Sequence, residues 1–463
     1  MSVSSDFFHK RVLVLGAGVT GLASARSLLK REAEVVIVDD NVISSDEFVI
    51  LSPSAIAVKD FDYVLVSPGW KESHLLIRAA REENVTILNE IDLAWAIKQE
   101  RLPQQKWVAL TGTNGKTTTV EMAAAAIRAG GLSAVACGNV GKTVIECVDG
   151  VENFDVLVLE LSSFQLHWLE RAEFVATAIL NIADDHTDWH GDFDSYARAK
   201  ISILDRSTTA ILNGDDAQVL TRTTHWNGRK VFYSLDTPGP GEIGVVEELM
   251  VDRAFVSDPQ EAAMIAELTD IKPTVPHNVS NALAAAGLAR TVGVSHAAIR
   301  EGLSSFKLGR HRIEVVAEKN GVTWIDDSKA TNPHAAAASV LSALSVIWIA
   351  GGLAKGADVG ALVSKAHTRI KAAILIGTDT PLFERALAEY APHIPVIHIH
   401  PGADYVRGGE SNSFMEAIVA ASVSQASAGD TVLLAPACAS MDQFISYADR
   451  GDRFCAAVRK ALS

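Results

Sequence analysis

Val108-Ala109-Leu110-Thr111-Gly112-Thr113-Asn114-Gly115-Lys116-Thr117-Thr118-Thr119 is the stretch on which the fold turns. Apolar Val108 to Leu110 reads as a buried strand, and residues 120–129, rich in alanine, read as a helix. Between them Gly112 and Gly115 let the backbone curl, so that successive N–H groups converge on one anion. The N-terminus of the following helix adds partial positive charge at the same point. Lys116 supplies a full charge, and the Thr117 hydroxyl is placed to help hold Mg²⁺. Leu110 stands where the standard G-x-x-x-x-G-K-[ST] pattern has its first glycine. The expectation is nonetheless a phosphate-binding loop whose ligand is a nucleoside triphosphate.

The chain around this loop has 463 residues, which suggests about three domains. Hydrophobic residues make up 48%, enough for each domain to bury a core. The formal net charge of −15 argues against a nucleic-acid partner. It does not exclude small anions, which local amides and lysines can hold. Cys137, Cys147, Cys438 and Cys455 are scattered with no C-x-x-C pair, as expected in a reducing compartment without structural zinc. Residues 1–10, MSVSSDFFHK, lack an apolar signal core, and no apolar run reaches transmembrane length. A cytoplasmic protein without membrane insertion is expected.

Upstream, residues 11–15 form an expected strand that enters Gly16-Ala17-Gly18-Val19-Thr20-Gly21, then a helix through Lys30. A second strand, 34–38, ends at Asp39-Asp40. This is a βαβ unit with G-x-G-x-x-G and an acid about twenty residues on. Alone it fits a nicotinamide-dependent oxidoreductase, but the loop can hold any diphosphate and no redox site follows. Residues 63–67 give another strand ending at Ser67-Pro68-Gly69, where open α/β sheets place ligands, and 86–88 give a fourth. The domain is read as the holder of a nucleotide diphosphate, with a boundary in the polar stretch 99–106.

Downstream, residues 156–159 form a short apolar strand running into Glu160. An acid at a strand end beside a phosphate loop suits Mg²⁺, although an ordinary surface glutamate fits the same pattern. A strand at 175–182 leads to Asp184-Asp185-His186-Thr187-Asp188-Trp189-His190. No cysteine joins these residues, so a hard-cation site is favoured over zinc. A helix is expected at 193–204, on which Lys200 taken alone is a surface lysine. Another helix opens at Pro276-His277-Asn278-Val279-Ser280-Asn281. Asn278 and Asn281 share a face there, and Asn278 also reads as an N-cap.

Taken together, residues 112–119, 160–165, 181–186, Lys200 and 277–281 resemble the central domain of the Mur ligases. These are ATP-dependent amide-bond-forming enzymes of peptidoglycan precursor synthesis. From about Gly309 the chain offers Arg310-His311-Arg312, a hairpin of 313–317 with 322–326 turning at Asn320-Gly321, and Asp327-Ser328-Lys329-Ala330-Thr331-Asn332. The last segment, with Gly351-Gly352-Leu353-Ala354-Lys355, Cys438-Ala439-Ser440 and Arg450-Gly451-Asp452-Arg453-Phe454, is similar to the D-glutamate-adding members of that family. Strands at 346–350, 373–377, 396–400 and 431–435 alternate with helices. The expected fold class is α/β with three open α/β domains: a Rossmann-like domain at 1–103, a central P-loop mononucleotide-binding domain at 104–308, and a Rossmann-like C-terminal domain at 309–463.

The resemblance implies an acyl phosphate on the L-alanine carboxylate of UDP-N-acetylmuramoyl-L-alanine, attacked by the amine of D-glutamate. It implies ATP contacts at Gly112, Thr113, Asn114, Gly115, Lys116, Thr117, Thr118, Asn278, Asn281, Arg312, Asp327 and Lys329. Val19, Thr20, Ser67, Gly69, Asn139, Ser162 and Gln165 would contact the UDP-linked substrate. Thr331, Lys355, Ser440 and Tyr447 would receive D-glutamate. Lys116, Glu160, His186 and Lys200 would carry catalysis. Thr117, Glu160, His186 and a carbamylated Lys200 would serve two Mg²⁺ sites. A monomer is expected. The departures are Asp39-Asp40-Asn41, where some members have arginine, Tyr447 for phenylalanine, and Leu353 for a polar residue. The rival readings are a Mur-type ligase adding a different amino acid, the oxidoreductase, and a non-catalytic nucleotide-binding scaffold.

Overall fold

The computed structural model describes residues 7, 9–41, 47–258 and 260–463. Most of the first ten residues, read above as lacking a signal core, therefore lie outside the described residues. Among the described residues, three sheets carry the fold. The first is all parallel, in the order Ile50–Leu51, Glu34–Val38, Arg11–Leu15, Tyr63–Val66, Thr86–Leu88. The strand order reverses between Arg11–Leu15 and Tyr63–Val66, so Gly16 and Ser67 stand together at the switch point. A Cβ on Gly16 would lie 2.6 Å from Ser67 Oγ, and one on Gly21 would lie 1.9 Å from Gly16 O. These glycines therefore bring helix Val19–Leu29 down onto the sheet.

The second sheet has nine strands, with Lys106–Thr111 between Val156–Glu160 and Ala176–Ile179. All three run parallel, so the ends of the flanking strands deliver residues 160–165 and 180–186 to the two sides of the phosphate loop. The far edge, Leu249–Asp252 and Ala263–Glu267, is antiparallel. The third sheet orders Glu314–Lys319, Val322–Asp326, Thr431–Leu434, Val346–Gly351, Ile370–Ile376 and Val396–His398, all parallel except the first hairpin.

The chain divides into two compact units: residues up to Thr274 with Asn278–Phe306, and Val275–His277 with Lys307–Ser463. Two sheets share the first unit. Between them Glu90 Oε1 accepts from the Ile145 N–H at 2.6 Å, and Asp92 accepts from the N–H groups of Glu170, Arg171 and Ala172 at 2.8–3.1 Å. Asp149 adds an ion pair to Arg31 at 2.9 Å. Burial pushes the Glu90 carboxyl up to about 7, against the pull of the Ile145 and Val144 amides. Among the described residues no helix is long and apolar enough to cross a membrane.

Several elements depart from the sequence expectation. The helix after the loop begins at Lys116, not residue 120. Gly115 takes φ +81°, and the Thr119 hydroxyl donates to Gly115 O, so the threonine run is absorbed into the first turn. The strand expected at 175–182 is Ala176–Ile179, because Asn181 and Ala183 are drawn to the loop instead. The helix expected at 193–204 stops at Ile201 and tightens into a 3₁₀ turn. Asn278 is no N-cap: it lies inside helix Pro276–Thr291, and its Nδ2 donates to Pro273 O at 3.0 Å. The hairpin starts at Glu314 because Ile313 is left-handed, φ +46°. Its turn, Asn320 at φ +55° and Gly321 at φ +74°, has the left-handed pair that a tight two-residue connection requires.

Candidate active site

The loop 112–118 is shaped by groups distant in sequence. Asn181 Oδ1 accepts from the Asn114 N–H at 2.8 Å, and Asn181 Nδ2 returns a bond to Asn114 O at 3.1 Å. The Thr113 N–H donates to Asn181 O, and its hydroxyl lies 2.9 Å from the Tyr196 hydroxyl. On the other side, a Cβ at Gly115 would lie 2.4 Å from Asn281 Oδ1, so the Asn281 amide abuts the loop. Thr117 and Thr118 follow in the first turn of the helix, and Thr118 is buried.

Two lysines converge on one carbonyl. Lys116 Nζ donates to Gly112 O at 2.8 Å and to Thr113 O at 2.9 Å. Lys200 Nζ donates to the same Gly112 O at 2.8 Å. The Lys200 reading as a surface residue is overturned, because its side chain is buried and its ammonium sits 4.8 Å from the Tyr196 ring centre. Burial, then the charge on Lys116, hold its pKa well below the usual lysine range.

Glu160 faces this pair from the next strand. Its Oε1 accepts from Asn139 Nδ2 at 2.8 Å, while its Oε2 is buried with no hydrogen-bond partner among the described residues. A buried carboxylate oxygen without a partner is costly unless something cationic faces it. Together with the Thr117 hydroxyl, this donor set is all oxygen, which suits a hard divalent cation. The residues present therefore fit Mg²⁺.

His186 has φ +54° and precedes the one-turn helix Thr187–His190. Burial, the largest influence, draws its pKa down, with Asp185 opposing and Lys200 and Lys116 assisting. His190 Nε2 lies 2.9 Å from Ser163 Oγ, and the Phe164 ring packs against both imidazoles. Among the described residues, no cluster of three metal-ligating side chains includes this H-x-x-x-H pair. Trp189 Nε1 donates to Gly69 O at 3.1 Å, tying this loop to the end of the first sheet.

The expected substrate contacts fall into two groups. Val19 and Thr20 open helix Val19–Leu29, with Val19 exposed, and Ser67 Oγ is buried without a partner beside Gly16. Asp39 Oδ2 accepts from the Ala17 N–H at 2.9 Å, so the acid that suggested a nicotinamide ribose is engaged with the glycine loop itself. Ser162 and Gln165, by contrast, bond to one another as the capping box of helix Ser163–His167.

In the second unit the ends of the parallel strands gather the remaining residues. The Asp327 N–H donates to Leu434 O, and its carboxylate accepts from the Ser339 hydroxyl and from the Ile313 N–H. Burial raises Asp327 to about 6, the Ser339 bond opposing. Arg312 sits between two left-handed residues, His311 at φ +63° and Ile313 at φ +46°. Lys329 Nζ lies 3.9 Å from the Tyr447 ring centre. Leu353 pairs with Ala439 through two backbone bonds, and the Ala437 N–H donates to Ala330 O. These bonds set the turns of Thr331, exposed Lys355 and buried Ser440 side by side. Leu353 thus contributes its backbone, which explains how an apolar residue is tolerated there.

Residues 110–289 match the family described as Mur ligase middle domain, and residues 311–438 match that described as Mur ligase, glutamate ligase domain. The chain belongs to the Mur ligase family. It is 45% identical to the UDP-N-acetylmuramoylalanine–D-glutamate ligase of Thermobifida fusca, covering 97% of this chain and 98% of that one. A ligase of the same name from Streptomyces coelicolor is 42% identical, covering 98% and 99%. Among solved structures, a pseudomurein peptide ligase type C from Methanothermus fervidus superposes with TM-score 0.59 at 18% identity, covering 98% of this chain and 100% of that one. The MurF ligase of Thermotoga maritima in complex with ADP gives TM-score 0.55 at 16% identity, covering 100% and 97%. Both share the multi-domain α/β fold of the Mur ligases. Sequence reasoning had not assigned roles to Asn181 and Tyr196, which shape the loop; only their contacts to residues 113 and 114 reveal them.

Proposed function

We propose that this Mur ligase adds D-glutamate to UDP-N-acetylmuramoyl-L-alanine, with ATP converted to ADP and phosphate, as a cytoplasmic monomer in peptidoglycan precursor synthesis. The observation that carries the chemistry is the convergence of Lys116 and Lys200 on Gly112 O, with Glu160 in register beside Leu110 on the neighbouring strand. The name of its relatives, which it matches from end to end, carries the specificity.

A carboxylate does not condense with an amine at neutral pH, because its oxygen is a poor leaving group. In the reading offered here the L-alanine carboxylate oxygen bonds to the γ-phosphorus and ADP leaves. The D-glutamate amine then bonds to the acyl carbon, a proton is lost, and the C–O bond to phosphate breaks. The loop amides and Lys116 bind and orient the phosphates, a task of positioning and charge neutralisation. Asn278, Asn281, Arg312, Asp327 and Lys329 are assigned to the rest of ATP. Val19, Thr20, Ser67, Gly69, Asn139, Ser162 and Gln165 are assigned to the UDP-linked substrate, and Thr331, Lys355, Ser440 and Tyr447 to the two carboxylates of D-glutamate. Thr117 and Glu160 would hold one Mg²⁺, and His186 with a carbamylated Lys200 a second; bound there, Mg²⁺ neutralises phosphate and acyl-oxygen charge. Carbamylation would turn a buried amine into an acid suited to face metal. The domain division 1–103, 104–308 and 309–463 goes with this assignment.

ADP release measured with each substrate omitted in turn tests the reading. Release is expected only when ATP, Mg²⁺, UDP-N-acetylmuramoyl-L-alanine and D-glutamate are all present. Equal release without either acceptor would refute it.

A further inference from the structure

Arg450 lies on helix Tyr447–Leu462 and is fully buried. Among the described residues no carboxylate pairs with it. Its Nε donates to Ser328 Oγ at 2.9 Å, and its Nη2 donates to Ser328 O at 2.9 Å and to Cys438 O at 3.2 Å. Nη1 adds a longer bond to Cys438 O at 3.3 Å. Ser328 Oγ in turn donates to Tyr447 O at 2.7 Å. A buried, unpaired guanidinium is a costly way to stabilise a core, and an apolar side chain of similar volume would do that better. What the planar fork offers is several fixed donors at once. Here they reach two turns far apart in sequence, joined otherwise by the Ala437 N–H to Ala330 O bond: Ser328, between Asp327 and Lys329, and Cys438, two residues before Ser440.

The next two residues act on a third turn. A Cβ on Gly451 would lie 2.2 Å from His311 Nδ1 and 2.7 Å from Asp326 Oδ2. The helix therefore passes against the buried His311–Asp326 pair, 2.6 Å apart, which only glycine permits. Asp452 pairs with Arg310. Arg312 is thus preceded by the anchored Arg310 and His311, and the left-handed β-branched Ile313 that follows it marks backbone strain that the surroundings must hold.

We propose that Arg450 is a positioning residue that couples the turn assigned to ATP, 327–329, to the turn assigned to D-glutamate, 437–440, with Gly451 and Asp452 registering the Arg312 turn against them. This rests on the function proposed above. Two variants test it, Arg450→Lys, which keeps the charge and loses the fork, and Ser328→Ala, which removes the Nε acceptor. Hydrogen exchange on each purified protein is expected to speed by about tenfold or more in peptides covering 327–331 and 437–440, with strands Val346–Gly351 and Ile370–Ile376 unchanged. In steady-state assays the KM values for ATP and D-glutamate both rise by about tenfold, while that for UDP-N-acetylmuramoyl-L-alanine stays within about twofold. A folded Arg450→Lys protein with unchanged exchange in both turns overturns the proposal. So does a uniform loss of protection across the unit, which would mean a merely structural role. If Arg450→Lys does not fold, Ser328→Ala decides by the same criteria. A wild-type protein that releases no ADP would refute the proposed function, and the exchange result would still decide the coupling of the turns.

Discussion

Replacing Glu90 with glutamine should make the protein's stability respond differently to pH. Glu90 begins helix Glu90–Arg101, is buried between the two sheets of the first unit, and accepts a 2.6 Å bond from the Ile145 N–H. Burial raises its carboxyl from 4.5 to about 7. The folded state therefore holds the proton more tightly than the unfolded chain. The stabilisation this gives is fully present below about pH 4.5 and lost as the pH rises through about 7. Moving the carboxyl from 4.5 to about 7 corresponds to about 3 kcal/mol. Glutamine keeps an acceptor for Ile145 and cannot titrate. Urea unfolding of both proteins, followed by tryptophan fluorescence, gives the difference in stability at each pH. Trp95 on the same helix packs edge-on against Trp107, with centroids 5.1 Å apart, and reports on this junction. Other carboxylates cancel in the difference. Relative to wild type, Glu90→Gln should gain about 3 kcal/mol between pH 4.5 and pH 8. A difference that does not change with pH would refute the reasoning.

Lys116→Ala should lower kcat for ADP release by about 100-fold or more, because it removes the positioned charge on the phosphate loop; near-normal turnover would exclude that role. Lys200→Ala should be inactive and partly restored by acetate, if a carboxylate on that side chain is the working group, and assays across acetate concentration would show it. Gly115→Ala should weaken ATP binding about tenfold, since the new Cβ combines a left-handed backbone with a 2.4 Å approach to Asn281 Oδ1; calorimetric titration with ATP measures the change.

The phosphate loop was legible because its information is local: an apolar strand, two glycines, a lysine and a helix within one short run. The first βαβ unit and the hairpin at Asn320-Gly321 were legible for the same reason, since left-handed positions and strand alternation are written in adjacent residues. The role of Asn181 was not, because its partner Asn114 is 67 residues away. Lys200 read as a surface lysine because an i, i+4 pattern does not say which polar residue turns inward; only the Tyr196 ring and Gly112 O explain its burial. Ser162 and Gln165 show the converse. They were expected only as substrate contacts, and the structure engages them with one another in a helix cap. Arg450 stood out only within the 450–454 segment that carried the resemblance; its contacts had no local sign, since a charged residue on an amphipathic helix is ordinarily solvated and its acceptors lie 12 and 122 residues away.

The most direct test of the central claim is to incubate the protein with ATP, Mg²⁺ and UDP-N-acetylmuramoyl-L-alanine, offering D-glutamate, L-glutamate, a diamino acid and L-lysine separately. ADP release, and a product heavier by one glutamyl residue, are expected with D-glutamate alone. A product formed with one of the other amino acids and not with D-glutamate would contradict that claim.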